Sequence, residues 1–260
     1  MVEPWIDAFW QLYAPGPIAV GLATIAMAGF LRGFVGFGNS ILIVIVFSLL
    51  YGPVFAVPFA ALASLPPTIQ LLPTTIRKAD KRFVLPFAFA VFAAAPFGVV
   101  VLISVDANLV KIVIALIVLA MVFLIYCKWQ PTRNLRTSGL GLIGVAAGLA
   151  NGVAGAGGMI VATAAMARRG KPAQQRANTI GGITAVGLCN FPPFLYYGLF
   201  SREIVLLSVI MVPVYLAGTW VGARLFERGG GRHYRNAVLC VLAAVALISL
   251  VLSFRDFIRF

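Results

Sequence analysis

The sequence predicts an all-α polytopic membrane protein of two inverted repeats, each a glycine-broken helical hairpin plus three transmembrane helices. Three observations predict it. Of 260 residues, 62% are hydrophobic and 10% charged, against about 25% charged in soluble domains, and the mean hydropathy is +1.02. Between Arg32 and Arg77 lie 44 residues without a Lys, Arg, Asp or Glu, whereas about 20 suffice to cross a bilayer. A glycine-rich stretch also occurs twice, 119 residues apart, so that Ala28/Ala147, Gly29/Gly148, Gly33/Gly152, Gly36/Gly155, Gly38/Gly157 and Ile41/Ile160 coincide. Gly-interrupted apolar segments at corresponding places in two halves point to the binding site of a repeat-built transporter. A β-barrel is excluded, because stretches such as 110–125 lack the two-residue alternation of a barrel strand.

Residues 1–16 carry Glu3 and Asp7 ahead of any long apolar run and no basic stretch, so a signal peptide is not expected. Trp5, Phe9, Trp10 and Tyr13 suit an interfacial segment at the level of the lipid headgroups. The first repeat is expected over 17–130, with apolar elements at 17–50, 54–76, 83–105 and 109–127. The second is expected over 131–260, with elements at 138–167, 177–200, 204–223 and 236–254. Elements one and five are the long ones and hold the two glycine stretches. Elements two and six carry Pro66-Pro67 and Pro192-Pro193, which should kink or break them.

The basic residues decide the topology. If all eight elements simply cross, ten Lys and Arg fall on one side and nine on the other. If elements one and five turn back as hairpins of two half-helices, the split becomes fifteen against four. Loops rich in Lys and Arg stay cytoplasmic, so the hairpin arrangement is preferred. Each half then holds three full crossings, an odd number, and the second half enters from the opposite face with the N-terminus outside.

Within the glycine stretches two roles separate. Gly29/Gly33 and Gly148/Gly152 have the spacing of close helix packing. Gly36-Phe37-Gly38 and Gly155-Ala156-Gly157-Gly158 are too dense for that, since each Gly costs about 1 kcal/mol against Ala in a helix interior, and they predict breaks. A break leaves N–H donors at the start of the returning half-helix, where the helix dipole favours an anion. Gly36, Gly38, Asn39 and Ser40 at the first tip and Gly155, Gly157 and Gly158 at the second are therefore candidate ligands near the midplane. Arg32 is the one charged residue deep inside an apolar element, Lys111 lying at the start of 109–127, and an intramembrane charge is a functional-site candidate by default. Its repeat counterpart is the neutral Asn151, so the site is asymmetric. Of the polar residues on elements two and six (Ser64, Thr68, Gln70, Asn178, Thr179, Thr184 and Asn190), Gln70, Asn178 and Thr179 are singled out as lining candidates.

All seven acids lie in loops or near element ends. That argues against cation or metal transport, a carboxylate proton relay and an intramembrane carboxylate enzyme. The net charge of +13 reflects topology-setting loops, so no nucleic-acid partner is expected. Cys127, Cys189 and Cys240 stand alone, His233 sits in a basic loop, and no GxxxxGK[ST] occurs. No metal, no cofactor and no enzymatic activity are expected.

The pattern resembles the sulfite exporter TauE/SafE family, also described as toluene sulfonate uptake permeases. The resemblance covers essentially the whole chain. It rests on Gly33-x-x-Gly36-Phe37-Gly38, Gly152-x-x-Gly155-Ala156-Gly157-Gly158, the turns at Gly52-Pro53 and Gly170-Lys171-Pro172, Gly198, and Gly218-x-x-x-Gly222-Ala223. The chain departs from that family in lacking a proline shortly after each glycine core and in keeping the Ala-x-Gly-Thr-Ser stretch only loosely, as Ala177-Asn178-Thr179. The resemblance implies transport of small sulfur-containing anions such as sulfite, sulfonates or sulfoacetate; the residues by themselves imply only an anion. The expected protein is a multi-pass secondary transporter of the cell inner membrane, with the lipid bilayer and a small sulfur oxyanion or organosulfonate as partners. Whether it forms a homodimer stays open. An anion channel on the same scaffold and a non-transporting membrane subunit are the alternatives.

Overall fold

In hydrocarbon every backbone N–H and C=O must be bonded within the chain, and the apolar runs meet that demand as helices. The computed structural model describes residues 15–34, 38–69, 80–126, 137–167 and 172–227, together with Leu247. Among them all regular structure is helical. In chain order the helices are α1 (Pro15–Phe34), α2 (Asn39–Tyr51), α3 (Pro53–Ala63), α4 (Lys81–Ser104), α5 (Ala107–Tyr126), α6 (Thr137–Ala154), α7 (Gly157–Ala167), α8 (Pro172–Cys189), α9 (Phe191–Tyr196) and α10 (Arg202–Glu227). Residues 65–69 are also helical, beyond a turn at Ser64. Pro15–Phe34, Phe83–Ser104 and Arg202–Leu225 are each long and apolar enough to cross a membrane. The expected last element, 236–254, lies outside the described residues.

Elements one and five break at the glycine cores. Gly38 caps α2 in the left-handed conformation, φ 88°, and Gly155 ends α6 at φ 62°, angles that other L-residues rarely adopt. The N–H groups of Gly155 and Ala156 return to the carbonyls of Asn151 and Ala150, which closes the last turn of α6. The chain then doubles back. A Cβ on Gly21 of α1 would lie 3.3 Å from the Phe47 ring of α2, although two collinear helices would hold those residues roughly 40 Å apart. On the other hairpin, a Cβ on Gly157 would lie 2.6 Å from the Ala147 carbonyl oxygen. At 20 residues α1 is span-length, longer than the half-helix expected of it.

Elements two and six are interrupted as well, each just ahead of its proline pair. Ser64 precedes Leu65-Pro66-Pro67, and Asn190 precedes Phe191-Pro192-Pro193 at the start of α9. A proline ring collides with the carbonyl four residues earlier and offers no N–H, so a straight helix cannot pass through either pair.

The first element of each half packs on the third element of the other. Gly29 and Gly33 of α1 lie against the backbone of Tyr215, Thr219 and Ala223 on α10, and Gly218 and Gly222 of α10 lie against Ala26, Phe30 and Phe34. Correspondingly, Gly144, Gly148 and Gly152 of α6 lie on Phe87, Val91, Ala94, Ala95 and Gly98 of α4. Without a hydrophobic force between helices in lipid, such small-residue seams carry the association. The main core holds Ile25, Ile43, Phe47, Phe59, Met159, Phe194 and Tyr215, drawn from both halves, with Phe47 and Phe59 stacked at 4.4 Å. Phe89 and Leu142 are each 75% exposed, as side chains turned to acyl chains would be.

Candidate functional site

Four helix breaks converge on one cavity of about 50 Å³. The first hairpin tip contributes Arg32 and Ser40, and the second Asn151, Gly155 and Gly158. The proline-led interruption of element two contributes Ser64 and Thr68, and that of element six contributes Thr184 and Asn190. Val57, Ala60, Ile183, Val186 and Phe191 complete the wall. A break is where a membrane chain has polar groups to spare, so breaks sharing one cavity concentrate those groups there. At roughly 10–15 Å³ of such space per water, the cavity holds a few waters or one small oxyanion.

Arg32 dominates the electrostatics. It is 4% exposed, its Nη2 donates to Thr68 Oγ1 at 3.0 Å, and Thr68 in turn donates to the Ser64 carbonyl at 2.7 Å. Among the described residues its Nε has no partner, and neither do Thr184 Oγ1 and Asn190 Oδ1. Among the described residues no carboxylate lines the cavity. A buried charge with an unmet donor is costly unless something of opposite sign meets it. The cavity that Arg32 shares with Thr184 and Asn190 is therefore suited to an anion held by Arg32.

The tips themselves are tied. Asn39 Nδ2 donates to the hydroxyl of Tyr215 on α10 and approaches Ser64 Oγ at 3.3 Å and Ser40 Oγ at 3.4 Å. It fixes the first tip from behind while Ser40 faces the cavity. On the second tip Asn151 spans the break: its Oδ1 accepts from the Gly157 N–H at 3.3 Å, and its Nδ2 reaches the Val186 carbonyl at 3.5 Å. A Cβ on Gly155 would stand 2.9 Å from Val44 Cγ2 and 3.9 Å from Ser40 Cβ, so the two tips touch. Gly157 is packed against Ala147, Asn151 and Val186, whereas Gly158 has only the Ile183 side chain near it, at 3.6 Å or more. Gly155→Ala combines a positive φ with the Val44 contact. It is expected to cost about 1–2 kcal/mol from the backbone alone, read as a lowered melting temperature in detergent.

Of the residues singled out from the sequence, Arg32, Ser40, Asn151, Gly155 and Gly158 line the cavity, and Gly38, Asn39 and Gly157 form the tips beside it. Asn178 and Thr179 do not line it. Asn178 Oδ1 accepts from the Asp80 N–H at 2.7 Å, joining α8 to the start of α4, and Thr179 is buried nearby at 6% exposure. Gly36 and Gln70 lie outside the described residues. Sequence reasoning passed over Ser64, Thr68, Thr184 and Asn190 as lining groups. The proline pairs were the available signal, because they mark where elements two and six open. Nothing local announces Tyr215.

A sequence profile of the family described as Sulfite exporter TauE/SafE matches residues 21–248. No curated protein and no solved structure matches the chain.

Proposed function

We propose that this chain, which belongs to the sulfite exporter TauE/SafE family, is a multi-pass inner-membrane carrier of a small sulfur-containing anion, working by alternating access around the cavity between its two halves. The observation that carries the reading is Arg32, buried, with an unpartnered Nε, on a cavity to which both hairpin tips contribute. Family membership supplies the sulfur; the cavity supplies the sign and the size. Arg32 donates to the anion, Ser40 and the start of α2 offer further donors under the helix dipole, and Gly155 and Gly158 let the backbone approach. Asn39, Asn151, Gly38 and Gly157 hold the tips in register.

The inverted-repeat reading is supported by reciprocal packing: α1 of the first half seats on α10 of the second, and α6 of the second on α4 of the first. It sets the N-terminus outside and gives two similar bodies that can rock about a fixed site, the geometry expected of alternating access. The interruptions at Ser64 and Asn190 are the natural hinges, since both face the cavity.

The test is counterflow in proteoliposomes with labelled sulfite. A carrier gives saturable uptake that is accelerated by unlabelled sulfite inside and reduced by competing small sulfonates. Conductance without exchange acceleration would identify a channel instead. Flux no greater than that of protein-free vesicles, for every sulfur anion tried, would remove the reading.

A further inference from the structure

The cavity wall carries one charge together with neutral residues that have unmet hydrogen-bonding atoms. Arg32 is the one ionisable side chain lining it among the described residues. Tyr215 reaches the same region from α10 through Asn39, and an ordinary phenol stays neutral below about pH 10. Cys189, beside Asn190, turns its thiol to the Ala88 carbonyl at 3.6 Å. A single guanidinium balances a single negative charge. A doubly charged ion would leave one charge uncompensated in a low-dielectric enclosure.

The hydrogen-bond inventory points the same way. A fully ionised oxyanion offers acceptors only. It can receive from Arg32 Nε and from the Thr184 hydroxyl, but it has nothing to give Asn190 Oδ1, which is 1% exposed and without a partner. An oxyanion that keeps one proton on oxygen satisfies all three.

Resting on the transport reading above, we propose that the site takes a singly charged, still protonated oxyanion, hydrogensulfite where the substrate is sulfite, with Arg32 matching its charge and Asn190 accepting its O–H. Thr184 and Asn190 thereby set specificity on the second half, as Arg32 does on the first. Substrate enters with its proton attached, and no group on the cavity wall has to supply or remove one.

Initial flux into proteoliposomes is measured for sulfite and for methanesulfonate, a monoanion at every pH used, across the second ionisation of sulfite. At a fixed total concentration below saturation, sulfite flux is expected to fall about tenfold per pH unit above that ionisation, while methanesulfonate flux stays level. Sulfite flux that is constant or rises with pH overturns the proposal. A fall shared by both anions also overturns it, by locating the titrating proton on the protein. Absence of flux for both anions would instead remove the transport reading itself. In a second arm, Asn190→Leu is expected to lower the sulfite-to-methanesulfonate flux ratio several-fold at low pH, with Thr184→Val as a milder counterpart if the first variant does not fold. An unchanged ratio would strip Asn190 of its role as the acceptor.

Discussion

Arg32→Gln is expected to lower sulfite flux at subsaturating concentration roughly 10- to 100-fold while raising thermal stability in anion-free buffer. The two effects share one cause. Wild-type Arg32 is buried at 4% exposure with its Nε unmet, and a buried charge lacking a counter-ion costs several kcal/mol. Glutamine removes the charge, so the empty protein gains stability. The same change removes a charge-assisted hydrogen bond to the substrate, worth about 1.5–3 kcal/mol, which corresponds to roughly a 10- to 100-fold loss of affinity. Arg32→Lys keeps the charge without the planar fork and should fall between. Melting temperature in detergent and flux in proteoliposomes are the paired readouts. A variant that loses flux and also stability would make Arg32 a structural residue.

Gly33→Val is expected to prevent the halves from assembling. A Cβ at this position falls on the Thr219 carbonyl and 2.8 Å from the Ala223 backbone nitrogen. Both neighbours are backbone, so no rotamer change relieves the clash and α1 must move away from α10. Overpacking a close seam costs about 1–3 kcal/mol or more. Here the displacement also opens the reciprocal contact of Gly222 with the Phe30 carbonyl. Gly152→Val should act the same way, since its neighbours are the backbone of Gly98 and Ala95 on α4. Size-exclusion of detergent-solubilised protein reads the outcome as loss of the monodisperse peak. Gly141→Ala is the control: nothing lies within 4 Å of the added atom, and helix propensity favours Ala by up to about 1 kcal/mol. If Gly33→Val eluted like wild type, the small-residue seam would not be what holds α1 to α10.

These two residues illustrate what was legible beforehand. Gly33 sits four residues from Gly29, a spacing that announces a close seam, and Gly38 and Gly155 stand in clusters too costly for an unbroken helix. Both features are local, so the sequence displays them. Arg32 was legible because it is a lone charge in an apolar run. The choice among the polar residues of element six was harder. Asn178 and Thr179 lie near the start of α8, where Asn178 meets the Asp80 backbone, whereas Thr184 and Asn190 lie farther along and reach the cavity because the helix stops at Asn190 before its prolines. Periodicity marks a face only relative to a neighbour, and the neighbours of α8 come from distant parts of the chain. Tyr215 lies 176 residues from Asn39, and no local pattern on α10 marks its hydroxyl as the partner of a hairpin tip.

The central claim is that one anion lies between the two halves, at Arg32. The most direct measurement is a crystal structure with selenite in place of sulfite, using the anomalous signal of selenium. The account predicts a single peak in the cavity, within hydrogen-bonding distance of Arg32 Nε and facing Thr184 and Asn190, which disappears in Arg32→Gln. A peak elsewhere along the helices, or one that persists in that variant, would contradict it.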